Sequence, residues 1–258
     1  MAKKTTAIVP WDKRFAPYAK KAQEQVAKVG GGVAVKFGRN KITVGGVDIP
    51  GGKLECVILD SCAVNIWYTK DYDKDDVQPP DCYAFADSVG DSEMAPHADA
   101  TNKQCELCAD CEKNQFGSAK TGRGKACGNT VRLGLLTVKD VEDPDDVVAA
   151  EMATAKVSPT NVKRWAGYVK MLGELEGGPR PPWGVITEIT SLDDPDTQIR
   201  LEFKLVELID DPAILDALEK RLPKVQEELQ RPYAPPTEKA AKKPAATAGR
   251  SKKFAARR

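Results

Sequence analysis

Cysteines are the side chains of this sequence with the clearest capacity for chemistry, and five of its seven fall between residues 69 and 129. Cys105, Cys108 and Cys111 form two overlapping C-x-x-C pairs, and Cys127 follows sixteen positions after the last of them. A two-residue spacer lets both thiolates of a pair turn toward one ion at about 2.3 Å. In a chain expected to be cytosolic, this spacing favours zinc over a disulfide.

A closed zinc site needs four ligands, so one C-x-x-C pair requires two more. The predicted metal ligands are Cys82, Cys108, Cys111 and Cys127. Cys105 and Cys111 cannot easily both bind the ion together with Cys108, because the three lie in so tight a run. Cys105 or the single histidine, His97, stays open as a replacement ligand. Four thiolates leave no vacancy for water, so a structural zinc is predicted rather than a catalytic one.

The predicted metal has a stabilising task. About sixty polar residues between 69 and 129 cannot bury enough apolar surface to order themselves, and a structural zinc contributes roughly 10–16 kcal/mol in isolated fingers. Cys56 and Cys62 lie in or beside apolar, strand-like runs and are interpreted as small core residues.

The segment between Cys111 and Cys127 is rich in glycine and cations. It does not match a nucleotide-hydrolysing phosphate loop, because Arg123 follows Gly122 where that motif requires lysine. Exposed amides, cations and an aromatic ring suit a phosphodiester backbone and an unstacked base. A solvated turn whose lysines offset nearby acids is the alternative. The predicted nucleic-acid contacts are Trp67, Tyr68, Lys70, Phe116, Lys120, Arg123, Lys125 and Arg132.

Length and composition limit the function classes. The chain has 258 residues, of which 41% are hydrophobic and 30% charged, as in soluble globular proteins. No run approaches 18 apolar residues and no signal-peptide pattern opens the sequence, so a cytoplasmic protein without a membrane partner is expected. A single histidine excludes His-pair metal sites and the nucleases that need several histidines.

Charge is segregated along the sequence. Residues 231–258 hold nine lysines and arginines against one glutamate, a net charge of +8, which leaves −7 for the rest because the total is +1. This tail is also rich in alanine and proline, so it is predicted to be a disordered basic arm that suits polyanions. A purely solubilising tail is the alternative.

The apolar pattern predicts an α+β fold. A helix is expected over residues 11–29, followed by strands at 33–37, 41–44, 54–59, 63–68, 131–138 and 147–157. Ser158-Pro159 predicts the start of a helix whose buried face includes Trp165. A hairpin over 183–190 and 198–206 and a last helix containing Pro223 complete the pattern. Short strands at intervals of about ten residues indicate a meander that curls toward a sandwich or small barrel.

An ordered set of residues extends from Trp11 to about residue 206: Trp11, Asp12, Asn65, Trp67, Tyr68, Cys82, Cys108, Cys111, Asn114, Gly117, Ser118, Gly122, Gly124, Lys125, Ala126, Cys127, Ser158, Trp165, Tyr168 and Thr187. This order resembles a family of zinc-containing proteins from tailed-phage genomes. Cys105 is extra to the family pattern, and Glu112 stands where the family often has proline.

The resemblance implies a single-stranded DNA-binding protein of a phage replication or recombination system. It further implies an OB-like β-barrel over residues 1–230 that carries a zinc-binding insertion at about 69–129, followed by the basic tail. The acidic tail tip of some phage single-strand binders is not matched. Other replication or recombination proteins are candidate partners, and oligomerisation stays open.

Two other functions compete with DNA binding. Asp-rich stretches at 71–76 and 142–146 could hold Mg²⁺ in a nuclease, but their loop-like setting favours solvated charge, so no enzyme activity is expected. A zinc-containing regulator or protein-interaction module acting on host transcription or replication is the main alternative.

Overall fold

The computed structural model describes residues 33–71, 73 and 78–233. Within these ranges the chain forms nine strands and three α-helices. The strands are β1 (Ala34–Gly38), β2 (Lys41–Val44), β3 (Val47–Ile49), β4 (Lys53–Trp67), β5 (Cys82–Ala86), β6 (Gly128–Thr137), β7 (Ala153–Val157), β8 (Val185–Asp194) and β9 (Gln198–Leu208). The helices are α1 (Pro144–Ala149), α2 (Val162–Gly173) and α3 (Pro212–Leu229). The predicted N-terminal helix and all but the first three residues of the predicted tail lie outside the described residues.

All nine strands belong to one sheet, in which eight follow the order β3-β2-β1-β7-β6-β4-β8-β9 and β5 pairs with β4 outside this order. Strand β4 is its longest member: β6 pairs along one edge, while β8 pairs with the first part of the other edge and β5 with the last part. Every pairing is antiparallel except that of β1 with β7. The C-terminal end of β4, at Trp67, is therefore flanked by the start of β5 and the start of β6.

The two strands predicted at 54–59 and 63–68 are one continuous strand, β4. A β-bulge between Ile58 and Asp60 shifts its register against β6, which bends the strand without ending it. The polar residues at the bulge resemble a turn in the sequence. Instead, the Asp60 carboxylate accepts hydrogen bonds from the Ser61 amide at 2.7 Å and from Gln226 Nε2 at 2.7 Å.

The sheet is strongly curled into a half-barrel. Its first strands approach β8, where Ser191 Oγ donates to Gly38 O at 2.6 Å and the Asp193 amide donates to Asn40 Oδ1 at 2.9 Å. The inner face holds a core to which seven strands and α2 contribute. Trp165, predicted to be core, is buried there, as expected.

The opposite face of the sheet is covered mainly by α3. Leu218 and Val225 of this helix are buried against Val57 and Leu59 of β4, and Cys62 is buried in the same cluster. Cys56 lies in the inner core, so both cysteines interpreted as core residues are buried. Pro223 lies within α3, as predicted.

Two further local predictions are wrong. Residues 144–149 form helix α1, although the strand predicted at 147–157 included its second half, because Asp143 caps this helix through the Asp145 amide and Pro144 occupies its first position. Helix α2 begins at Val162 and not after Ser158. The polar region over 69–129 contains one short strand, β5, among its described residues.

The N-terminal end of α2 is fixed by its N-cap residue, Asn161, which is buried. Asn161 Nδ2 donates to Ile199 O at 2.9 Å, and its Oδ1 accepts from the Leu201 amide at 2.8 Å. These bonds to β9 explain why the helix starts three residues later than the Ser-Pro signal indicates. No helix in the described part of the chain is long and apolar enough to cross a membrane.

Candidate metal centre and nucleic-acid interface

Five cysteines line one cavity at the C-terminal end of β4: Cys82, Cys105, Cys108, Cys111 and Cys127. Strand pairing brings two of them there, since Cys82 lies opposite Trp67 and the residue after Cys127, Gly128, lies opposite Ile66. These two cysteines therefore flank the last residues of β4 from its two neighbouring strands. The structure thus brings together all four predicted metal ligands and the spare Cys105.

The other three cysteines belong to a loop held by backbone hydrogen bonds. The Cys108 amide donates to Met94 O at 2.8 Å, and the Asn114 amide donates to Cys111 O at 2.9 Å. The side chain of Asn114 also donates to Cys108 O at 2.7 Å. The main chains of Cys108 and Cys111 are therefore tied to flanking segments, while their thiols make side-chain hydrogen bonds to Asn65 and Cys105.

Burial and mutual charge perturb these thiols. Burial, with the neighbouring Cys108 and Cys111 sulfurs as a further cause, raises the pKa of Cys127 to about 12. The pKa of Cys82 and that of Cys108 are also raised, first by burial. Cys105, which is only half-buried, has its pKa raised to about 12 by burial and by Cys111. Without a cation, these four thiols are therefore protonated at neutral pH.

A soft divalent ion fits this donor set, because crowded thiols become thiolates when a metal compensates their charge. The thiols lie around a common cavity but are not yet arranged as ligands. Among the described residues, no group of three or more His, Cys, Asp or Glu side chains is positioned to hold a metal ion.

His97 does not line the cysteine cavity. Its ring stacks on Tyr83 with centroids 5.1 Å apart, and its Nδ1 accepts from the Asp99 amide at 3.1 Å. Tyr83 belongs to the core on the α3 side of the sheet. Of the two replacement ligands left open by the sequence, only Cys105 lies at the cavity.

The basic segment between Cys111 and Cys127 is a closed loop. The Cys127 amide donates to Lys113 O at 2.7 Å, and Ser118 Oγ donates to the same oxygen at 2.9 Å and accepts from the Ala126 amide at 2.9 Å. Gly117, with φ +88°, turns the chain at the tip, where its amide bonds to the carbonyl of Gly124 at 2.9 Å. The loop conformation therefore depends on its own backbone and on the two cysteines at its ends.

Phe116 projects from this loop into solvent. Its side chain is 82% exposed, more than any other large hydrophobic residue of the described chain. Lys125 Nζ lies 5.1 Å from the ring centre, within range of a cation–π interaction. Nearer the sheet, Lys113 Nζ lies 5.9 Å from the ring centre of the half-buried Trp67. The pair of Trp67 and Lys113 thus lines the cysteine cavity, while the pair of Phe116 and Lys125 lies on the loop between Cys111 and Cys127.

The remaining predicted contacts divide into two groups. Tyr68, Lys70 and Arg123 are exposed, and Tyr68 follows directly after β4. Lys120 is exposed but paired, with its Nζ 2.7 Å from Asp71 Oδ1. That contact matches the alternative in which loop lysines offset nearby acids.

Unlike the exposed Tyr68, Lys70 and Arg123, Arg132 is engaged in contacts within the fold. Its guanidinium lies 5.1 Å from the ring centre of Phe85 and 5.2 Å from that of Tyr233. Nη1 donates to Leu229 O at 2.5 Å and to Arg231 O at 3.4 Å. Arg132 is therefore engaged in holding the C-terminal end of α3 on the outer face of the sheet.

Sequence reasoning gave no site role to three asparagines beside the cysteines, although Asn65 and Asn114 belong to the ordered set that carries the family resemblance. Asn65 hydrogen-bonds to the Cys108 side chain, and Asn129 Nδ2 donates to Asn65 Oδ1 at 2.5 Å and to Asn114 Oδ1 at 2.9 Å. Such outer contacts commonly orient metal ligands. The available signal was the position of Asn129, two residues after Cys127.

Comparison of the chain with protein-family models, with curated proteins and with solved structures returns no match.

Proposed function

We propose that this protein binds single-stranded DNA through the loop between Cys111 and Cys127, which one structural zinc ion holds in place. The observation that carries the proposal is Phe116, an 82% exposed ring with Lys125 Nζ 5.1 Å from its centre. An exposed ring costs apolar hydration in the free protein and is available to stack on an unpaired base.

Cys82, Cys108, Cys111 and Cys127 would hold the zinc. The ion would supply positive charge that stabilises four thiolates, and it would cross-link β5, the 105–111 loop and the start of β6. Cys105 is the weakest candidate because it is half-buried whereas the other four are buried. The chain's own contribution is the backbone that brings the sulfurs to one cavity and the Asn65 amide that bonds to Cys108.

Cations beside the rings supply the electrostatic part of binding. Lys125 and Lys113 each lie near an aromatic ring, while Lys70 and Arg123 are exposed in neighbouring segments. Each phosphate neutralised by such a cation releases counterions, so affinity should fall as salt rises. A duplex presents its phosphates but hides its base faces, and this favours single strands at an exposed ring.

The curled half-barrel is compatible with an OB-like barrel, a fold that commonly binds single strands across its sheet. Together with the sequence resemblance to zinc-containing phage proteins, it supports a role in phage replication or recombination. The basic segment beyond Tyr233 would add sequence-independent attraction to the same polyanion.

Fluorescence anisotropy with a labelled dT oligomer and a matched duplex, each at two salt concentrations, tests the proposal. The full chain should prefer the single strand, and Phe116→Ala should weaken binding by about 1–3 kcal/mol. Val206→Ala removes a 44% exposed side chain from β9 and is the matched control, expected to have no effect. Equal affinity for both forms, or unchanged binding by Phe116→Ala, would contradict the proposal.

A further inference from the structure

A polar groove lies next to the cysteine cavity. The end of β4, the start of β6, the segment around residues 89–94 and the cysteine loop line it, and its volume is about 270 Å³. Small-molecule sites usually begin near 300 Å³, so the groove has room for one flat ring system and not for a large cofactor. Ala63 and Met94 supply apolar wall, and three asparagines supply amides: Asn65, Asn114 and Asn129.

Hydrogen bonds fix how these amides are turned. Lys125 Nζ can only donate, and it donates to Asn114 Oδ1 at 3.2 Å. Asn129 Nδ2 donates to that same oxygen and to Asn65 Oδ1, so both of its amide hydrogens are engaged. The Oδ1 of Asn129 is consequently an acceptor that makes no side-chain hydrogen bond within the described part of the chain.

A second acceptor comes from Gln115, which also lines the groove. Its Nε2 donates to Ala109 O at 2.9 Å and to Cys111 O at 3.4 Å, which leaves Oε1 without a hydrogen-bond partner among residues 33–71, 73 and 78–233. Asn129 and Gln115 thus give the groove amide acceptors beside apolar wall, and the charged side chains of Asp91 and Lys125 also line it. A ligand that fits must have flat apolar faces and an edge that donates hydrogen bonds.

Nucleobases with an exocyclic amino group have this chemistry, whereas thymine carries no amino group. We infer that the groove between Asn129 and Gln115 reads one amino-bearing base of a bound strand while a neighbouring base stacks on Phe116. This inference rests on the proposed function and adds a base preference at one position. Lys125 connects the two subsites, since it contacts both Asn114 and the Phe116 ring.

The test compares two labelled 15-residue oligomers, all-dT and the same strand with one central deoxycytidine, using the full-length zinc-loaded protein. One added hydrogen bond should tighten binding about 3–10-fold. Asn129→Ala removes an acceptor, and Ala109→Leu fills the groove from an exposed position without deleting a hydrogen bond. Both should abolish the difference between the oligomers.

Asn102→Ala is the matched control, because Asn102 is an exposed asparagine of the same region whose side chain makes no hydrogen bond to the described residues. It should retain the preference. Equal affinity of the wild type for both oligomers, or a preference that persists in Ala109→Leu, would overturn the inference and leave the proposed function standing. No binding to either oligomer would overturn both.

Discussion

Trp67 lies directly opposite Cys82 in the antiparallel pairing of β4 with β5. Both residues line the cysteine cavity, and Lys113 Nζ lies 5.9 Å from the Trp67 ring centre. A candidate stacking residue and a candidate metal ligand therefore share one rung of the sheet. Displacement of Cys82 should therefore change the environment of the Trp67 indole.

Metal removal should change the fluorescence of Trp67. We expect chelation of the zinc-loaded protein to shift tryptophan emission, because the indole lies at the rim of the cavity and not in the core that holds Trp165. In Trp67→Phe the shift should be largely lost. An identical shift in that variant would mean that the change arises elsewhere.

Cysteine substitutions should separate ligands from bystanders. Cys108→Ser and Cys111→Ser should lose zinc by elemental analysis and lower the melting temperature, since uncompensated buried thiols no longer cross-link the loop. Cys105→Ser should retain one zinc per chain. Cys56→Ala, in the inner core, is the control for general destabilisation and should also retain zinc. Loss of zinc in Cys105→Ser would show that the ligand set is wrong.

Zinc affinity should depend on pH in a defined direction. The pKa values of Cys82, Cys108 and Cys127 are raised, foremost by burial, so these thiols carry protons at neutral pH in the metal-free protein. Zinc binds the thiolate and must displace those protons. Apparent affinity should therefore rise with pH between about 6 and 8, as measured by chelator competition. A flat profile would exclude these thiols as ligands.

Arg132 should contribute to stability and not to DNA binding. Arg132→Ala removes hydrogen bonds from a charged donor to Leu229 O and Arg231 O, at an expected cost of about 1.5–3 kcal/mol in urea unfolding. Arg132→Lys keeps the charge but loses the planar group beside Phe85 and Tyr233, so it should rescue only partly. Weakened single-strand affinity in a fully folded Arg132→Lys would instead place this residue in the interface.

Periodic patterns predicted the strands that carry a regular apolar face. The run at 41–44 is β2, and the hairpin predicted at 183–190 and 198–206 corresponds to β8 and β9. Strand β4 was divided in the prediction because Asp60 and Ser61 resemble a turn. The partner that satisfies Asp60, Gln226, is 166 residues away and carries no local signal.

The candidate site likewise combines features that short sequence spacing predicts with features that depend on residues far apart in the sequence. The C-x-x-C spacing placed Cys108 and Cys111 together, and the structure brings Cys82 and Cys127 to the same cavity through strand pairing. Arg132 could not be distinguished from a free cation by sequence, because its partners lie on α3 and beyond it. Contacts between residues far apart in the sequence therefore determine both the gathering of the cysteines and the role of Arg132.

We propose that a bound metal orders the loop that presents Phe116 to DNA. The most direct measurement is the anisotropy of a labelled dT oligomer with full-length protein as loaded, after chelation verified by elemental analysis, and after zinc is restored. We expect affinity to fall on chelation to what the remaining cations provide, and to recover with zinc. Unchanged binding by demonstrably metal-free protein would contradict the claim.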